Sequence, residues 1–152
     1  MPQPKLHEET IAREVVHRGR VFAVRRDRVR LPGGPALTRE IVVHPGAVAV
    51  LPLLAHDKIV LIRQYRHAAG KALLEVPAGT LQPNESPELC ARRELEEETG
   101  YRARRWRKLI HCYLAPGYST ELIHLYVASG LQATRARREQ DERMEASSSM
   151  VE

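Results

Sequence analysis

The stretch 79–101, GTLQPNESPELCARRELEEETGY, constrains this chain more than any other. It reads as a loop feeding a helix. Ser86 suits the N-cap, Pro87 the first helical position, and Gly100 a closing cap with positive φ. At about 100° per residue, Glu94, Glu97 and Glu98 fall on one face. Ala91 and Leu95 form the adjoining apolar strip, which is expected to lie on a core. Three carboxylates near the C-terminal end of a helix oppose its dipole and repel each other. A charged surface helix is the plain reading of such a run. A hard divalent cation held among the carboxylates is the reading that gives the crowding a purpose, because Mg²⁺ and Mn²⁺ take oxygen ligands.

The 152 residues suffice for one domain with a core, and 43% hydrophobic with 28% charged residues describe an ordinary globular chain. The first seven residues lack the apolar core of a secretion signal. The longest apolar run, 46–55, is too short to span a bilayer as a helix. Cys90 and Cys112 give neither a disulfide framework nor a metal spacing, which fits a reducing, cytoplasmic setting. The net charge of +5 gathers in Arg102, Arg104, Arg105, Arg107 and Lys108, and again in Arg135, Arg137 and Arg138. Only Trp106 interleaves an aromatic there, so solvated strand faces explain the cluster most cheaply. A polyanionic small substrate ranks next, and RNA third.

In chain order, residues 1–10 read as a mobile tail. Segments 12–17, 20–31 and 36–43 read as strands, with Pro32-Gly33-Gly34-Pro35 as a turn. Residues 46–54 are nearly all apolar, as in a strand buried on both faces. Residues 59–65 and 73–76 supply further strands before the glycine loop, and 103–113 and 121–128 follow the helix. Residues 132–152 form a polar tail, truncated or disordered, without the periodicity of a second covering helix.

Gly79, Glu85, Arg93, Glu94, Leu95, Glu97, Glu98 and Gly100 fill every fixed position of the signature of the Nudix pyrophosphate hydrolases, which this stretch resembles. Tyr101 stands where an aliphatic residue is commoner. Beyond the signature, residues 39–50, Arg63-Gln64-Tyr65-Arg66, residues 74–79 and Pro116, sixteen residues after Gly100, resemble the ADP-ribose pyrophosphatase branch. The resemblance implies an α/β fold: an α/β/α sandwich with a mixed central sheet and an N-terminal antiparallel β subdomain. It divides the chain into a tail (1–10), a dimerising β subdomain (11–44), the Nudix core (45–131) and the polar tail (132–152). A homodimer is implied; a membrane or nucleic-acid partner is not.

The activity implied is hydrolysis of ADP-ribose, or a related nucleoside diphosphate sugar, to AMP and ribose 5-phosphate with Mg²⁺ or Mn²⁺. The resemblance gives Glu94 and Glu98 as direct metal ligands, Glu97 as a further or supporting ligand, and the Ala78 carbonyl as a backbone ligand. Glu85 supports the cluster, and Arg93 orients the glutamates rather than touching substrate. Arg39, Arg66, Pro116 and Glu121 fall on the substrate side. Glu142 is named as the general base, although another register places Gln140 there, and Gln cannot accept a proton at neutral pH. Tyr65, Tyr113 and Tyr118 read as core or loop packing residues, with stacking on adenine as the alternative, His111 and His124 as hydrogen-bonded strand residues, and Cys90 as inert. Glu98 reads as a repelled surface anion whose loss leaves the fold intact. The alternatives are a catalytically silent ADP-ribose-binding module and a hydrolase of another nucleoside diphosphate derivative.

Overall fold

The computed structural model describes residues 6–55, 58–134 and 144–150. They fall into two units: the chain up to Pro45 with Tyr113–Leu122, and Gly46–Cys112 with the chain from Ile123 onward.

The first unit holds an antiparallel sheet of β1 (Glu9–Arg18), β2 (Ala23–Arg30) and β3 (Ala36–Val43), in that order. The alternation expected of a half-buried strand is clear in β2, where Arg26, Arg28 and Arg30 face out and Asp27 and Val29 are buried. Buried Asp27 sits beside Arg25 Nε (2.7 Å) and Arg13 Nε (3.6 Å). The 113–122 segment is tied to the end of β3. Val42 N–H donates to the Tyr118 carbonyl (2.8 Å), Thr120 N–H to the Val42 carbonyl (2.9 Å), and His44 N–H to Thr120 Oγ1 (2.9 Å).

The second unit is a seven-stranded mixed sheet. Its strands are β4 (Ala47–Ala55), β5 (Lys58–Arg66), β6 (Lys71–Glu75), β7 (Ala78–Thr80), β8 (Tyr101–Tyr113), β9 (Leu122–Ala133) and β10 (Met144–Met150). The main path runs β10-β5-β4-β9-β8, with β6 on β5 and β7 on β4. β4 and β9 run parallel, from Ala47↔Ile123 to Leu53↔Ser129, while β5 and β7 pair antiparallel with β4. Residues 47–50 of β4 are all buried, as its apolar run requires. Helix α1 (Pro87–Thr99) lies on the sheet, where Cys90, Ala91 and Leu95 join Val48, Val50, Tyr126 and Ala128 in the core.

The α1 ends follow local chemistry. Ser86 Oγ accepts the Leu89 N–H (3.3 Å), Pro87 opens the helix, and Gly100 closes it at φ 72° with its N–H on the Glu96 carbonyl. No second α-helix is present among the described residues, and no helix there is long and apolar enough to cross a membrane.

The C-terminal segment departs from the expected polar tail. β10 pairs antiparallel with β5 from Met144↔Gln64 to Met150↔Lys58. An edge strand is held by backbone hydrogen bonds to one neighbour, so it needs no apolar periodicity to form. One start and one end also shift: β1 begins at Glu9 inside the expected tail, and β9 runs on to Ala133.

Candidate active site

The site is built where β7 meets α1. β7 pairs with β4 through Val48↔Gly79 and Ala49↔Ala78, which sets its backbone against the glutamate face of the helix. The Ala78 N–H donates to Glu98 Oε2 (2.9 Å), and a Cβ added to Gly79 would overlap the Glu94 carboxylate. Glu98 is only 4% exposed. It is therefore not the surface anion that the helix periodicity suggests. A peptide N–H from another element offsets its burial, and a helical pattern cannot display such a partner.

Arg93 organises the remaining carboxylates. Its Nε and Nη2 fork onto Glu85 (2.8 and 3.0 Å), while Nη1 donates to Glu94 Oε1 (2.6 Å) and Glu97 Oε2 (3.0 Å). The geometry is that of a residue positioning glutamates through a planar donor set. Hydrogen bonding to Arg93 pulls Glu85 down to about 2, helped by the Gln82 N–H. The same contacts, Glu85 foremost, hold the Arg93 guanidinium well above its ordinary value. Burial, then the Glu85 charge, pushes the Cys90 thiol up to about 12, so Cys90 is no nucleophile at neutral pH.

Three carboxylates around one guanidinium leave an excess of two negative charges, with Glu98 alongside. The donors are all hard oxygens, the set that suits a hard divalent cation. Their partners include Arg93, the Gln82 N–H and the Ala78 N–H. Among the described residues no three His, Cys, Asp or Glu side chains converge on one point as ligands do. The chemistry of the donors fits the cation, and the close seat of Glu94 on Gly79 places that carboxylate against the backbone.

The other expected residues are distributed as follows. Arg66 forks onto Glu75, with Nη2–Oε2 at 2.6 Å and Nε–Oε1 at 2.9 Å. Glu75 escapes a reading of the sequence, because its role depends on the β5–β6 hairpin carrying it to Arg66. Arg39 lies in the first unit and binds Glu8 (Nη2–Oε1 2.6 Å). Pro116 and Glu121 belong to the same unit, Pro116 within the turn closed by Ser119 N–H on the Ala115 carbonyl, Glu121 3.9 Å from His44 Nδ1. Glu142 and Gln140 lie outside the described residues.

Tyr65, Tyr113 and Tyr118 are exposed, at 56%, 58% and 61%, and so do not pack in the core. His111 and His124 stack at 5.8 Å, and the buried Nδ1 of His124 meets no hydrogen-bond partner among the described residues. Desolvation, then Lys108 and His111, lowers the His124 pKa, which keeps it neutral without such a partner.

Comparison with known proteins gives two family matches: a NUDIX domain over residues 43–150, and a nucleoside diphosphate sugar hydrolase N-terminal domain over residues 8–42. The chain is 44% identical over 137 residues to an ADP-ribose pyrophosphatase of Bacillus subtilis, covering 90% of this chain and 74% of that one. It is 49% identical over 128 residues to a methanol dehydrogenase activator of Bacillus methanolicus, covering 84% and 69%. A crystal structure of an ADP compounds hydrolase superposes with a TM-score of 0.81 at 26% identity, covering 93% of this chain and 77% of the other.

Proposed function

The chain is a member of the Nudix family, and from that premise we propose that it hydrolyses the pyrophosphate bond of ADP-ribose to AMP and ribose 5-phosphate. The observation that carries this reading is the excess negative charge of Glu85, Glu94 and Glu97 around Arg93, set against the β7 backbone. The substrate assignment is supported by the Bacillus subtilis relative, by the ADP compounds hydrolase and by the N-terminal family match.

Nudix hydrolases generally use divalent metals, and Mg²⁺ or Mn²⁺ is the cation proposed here. Glu94 and Glu98 are the proposed ligands, with Glu97 and the Ala78 carbonyl completing the set. When bound, such a cation neutralises diphosphate charge and lowers the pKa of a coordinated water. The chain's own residues do the positioning. Arg93 and Glu85 fix the carboxylate orientations, and Glu75 fixes Arg66, which with Arg39, Pro116 and Glu121 is assigned to substrate binding. Glu142 is the proposed base.

A homodimer through the first unit is part of the same proposal. It is supported by β1, exposed along its whole length with Ile11, Val15 and Val16 at 41–43%. A cytoplasmic location is supported by two unpaired cysteines.

The test is product analysis after incubation with ADP-ribose and Mg²⁺ in ¹⁸O-labelled water. AMP and ribose 5-phosphate, one of them carrying the label, are expected. Tight binding without turnover would make the chain a binding module instead. The Bacillus methanolicus relative favours a second reading, activation of a methanol dehydrogenase. That reading predicts a faster dehydrogenase on adding the chain, and no rate change would remove it.

A further inference from the structure

On the face of α1 opposite Glu94 and Glu98 lies a cavity of about 300 Å³ lined by Arg92, Arg93, Glu96, Arg102, Ala103 and Trp106. All six belong to the second unit. The Arg92 guanidinium lies over the Trp106 ring, 5.0 Å from its centroid. Trp106 is anchored by its Nε1–H on the Ala103 carbonyl (3.2 Å) and by an edge contact with Tyr126 (6.3 Å).

The Arg93 guanidinium is taken up by Glu85, Glu94 and Glu97, so the groups that the lining offers to an anion are the guanidiniums of Arg92 and Arg102. Arg92 gives Nε and Nη2 to Glu88, and Arg102 gives Nε to Glu96. A guanidinium has five N–H groups, so both arginines retain donors for an anion. Forked arginine donors suit phosphate oxygens, and planar indole and guanidinium surfaces suit a base. The volume is at the small end of the ligand-pocket range, which favours a mononucleotide over a dinucleotide.

We propose that this cavity is a second binding site, for a nucleoside monophosphate, which adjoins the carboxylate cluster at Arg93. The choice of AMP as probe rests on the proposed hydrolysis, of which it is a product; the site itself does not.

Trp106 is the single tryptophan of the chain, so its fluorescence reads this cavity directly. The full chain, without divalent cation, is titrated with AMP, adenosine and inorganic phosphate, following emission and, in parallel, heat. AMP should give a saturable change, with adenosine and phosphate each weaker by roughly tenfold or more. Arg102→Gln should weaken AMP binding by roughly tenfold, and Arg102→Lys should restore part of it. Arg102 pairs with Glu96 at the exposed surface, so the variant keeps its fold and its ADP-ribose turnover.

No saturable signal by either method would overturn the proposal. So would AMP binding indifferent to Arg102→Gln, or phosphate binding as tightly as AMP. Absent ADP-ribose turnover with Arg102-dependent AMP binding would sink the hydrolase reading and leave this site standing.

Discussion

Gly79 and Glu94 occupy adjoining space, so that a single methyl group on Gly79 would stand inside the Glu94 carboxylate. The glycine is required here by close approach rather than by its dihedral freedom, since its φ is not among the positive ones. β7 can therefore lie against the helix only where a side chain is missing.

Gly79→Ala should push Glu94 off its seat. The atoms met are the end of the flexible Glu94 side chain, which can swing aside, so the loss of stability should stay at about 1 kcal/mol or less. Turnover of ADP-ribose should fall further than stability does, on the order of 10²-fold, because a proposed metal-ligating carboxylate displaced by about 1 Å is poorly placed. Thermal melting and kcat/KM at saturating Mg²⁺ check this. Unchanged kinetics would show that Glu94 takes no part in the reaction.

Arg93→Gln removes a cation shared by Glu85, Glu94 and Glu97. Breaking a paired, largely buried charge costs about 3–5 kcal/mol, and the partial exposure of these groups reduces the expected loss to roughly 2 kcal/mol. A divalent cation at the same carboxylates should offset part of that. Mg²⁺ should raise Tm more in the variant than in the parent chain, as differential scanning calorimetry would reveal. An equal shift in both would argue that Mg²⁺ binds elsewhere.

Helix α1 is legible in the sequence because its signals are local: Ser86, Pro87, Gly100 and the Ala91–Leu95 strip lie within one stretch. The grouping of Glu85 with Arg93 follows from the same stretch once the loop folds back. Other features depend on distant partners. Glu98 looks like a surface anion until Ala78 is brought to it by the β4–β7 pairing. Glu75 acquires its role from the β5–β6 hairpin, and β10 from a backbone edge that leaves no side-chain period. Arg39 is far in sequence from Pro116 and Glu121, yet the strand-to-loop hydrogen bonds at Val42 gather them into one unit.

Acid should destabilise the chain through Glu85. Its folded pKa, about 2, lies below the ordinary 4.5, chiefly because of Arg93. A depressed carboxylate contributes stability that is present above the unfolded pKa and lost as pH falls through the folded one. The window is therefore from about pH 4.5 down to about 2. The shift corresponds to at most about 3 kcal/mol, and solvent screening lowers the expected loss to about 1–2 kcal/mol. Glu85→Gln should flatten urea-derived stability across that window. An unchanged slope would assign the acid sensitivity to other groups.

Glu75→Gln should loosen Arg66 without touching the carboxylate cluster. The fork of two bonds between opposite charges becomes a single bond from the guanidinium to a neutral amide oxygen. With Arg66 on the substrate side, KM for ADP-ribose should rise by roughly 3–10-fold while kcat stays nearly constant, the pattern of lost uniform binding. A fall in kcat at constant KM would place Arg66 nearer the reacting phosphates than proposed.

Glu98 separates the structural and chemical roles of one side chain. Glu98→Gln retains an amide oxygen for the Ala78 N–H, so the loss of stability should stay below about 1.5 kcal/mol. Glu98→Ala leaves that N–H without its acceptor and opens a gap, for about 2–3 kcal/mol in total. Activity should respond differently, because a neutral amide is a poor ligand for a hard divalent cation. Both variants should lose on the order of 10²-fold or more in metal-dependent turnover. Full turnover of Glu98→Gln in saturating Mg²⁺ would confine Glu98 to holding β7 against the helix, and would leave Glu94 and Glu97 as the carboxylates to test next.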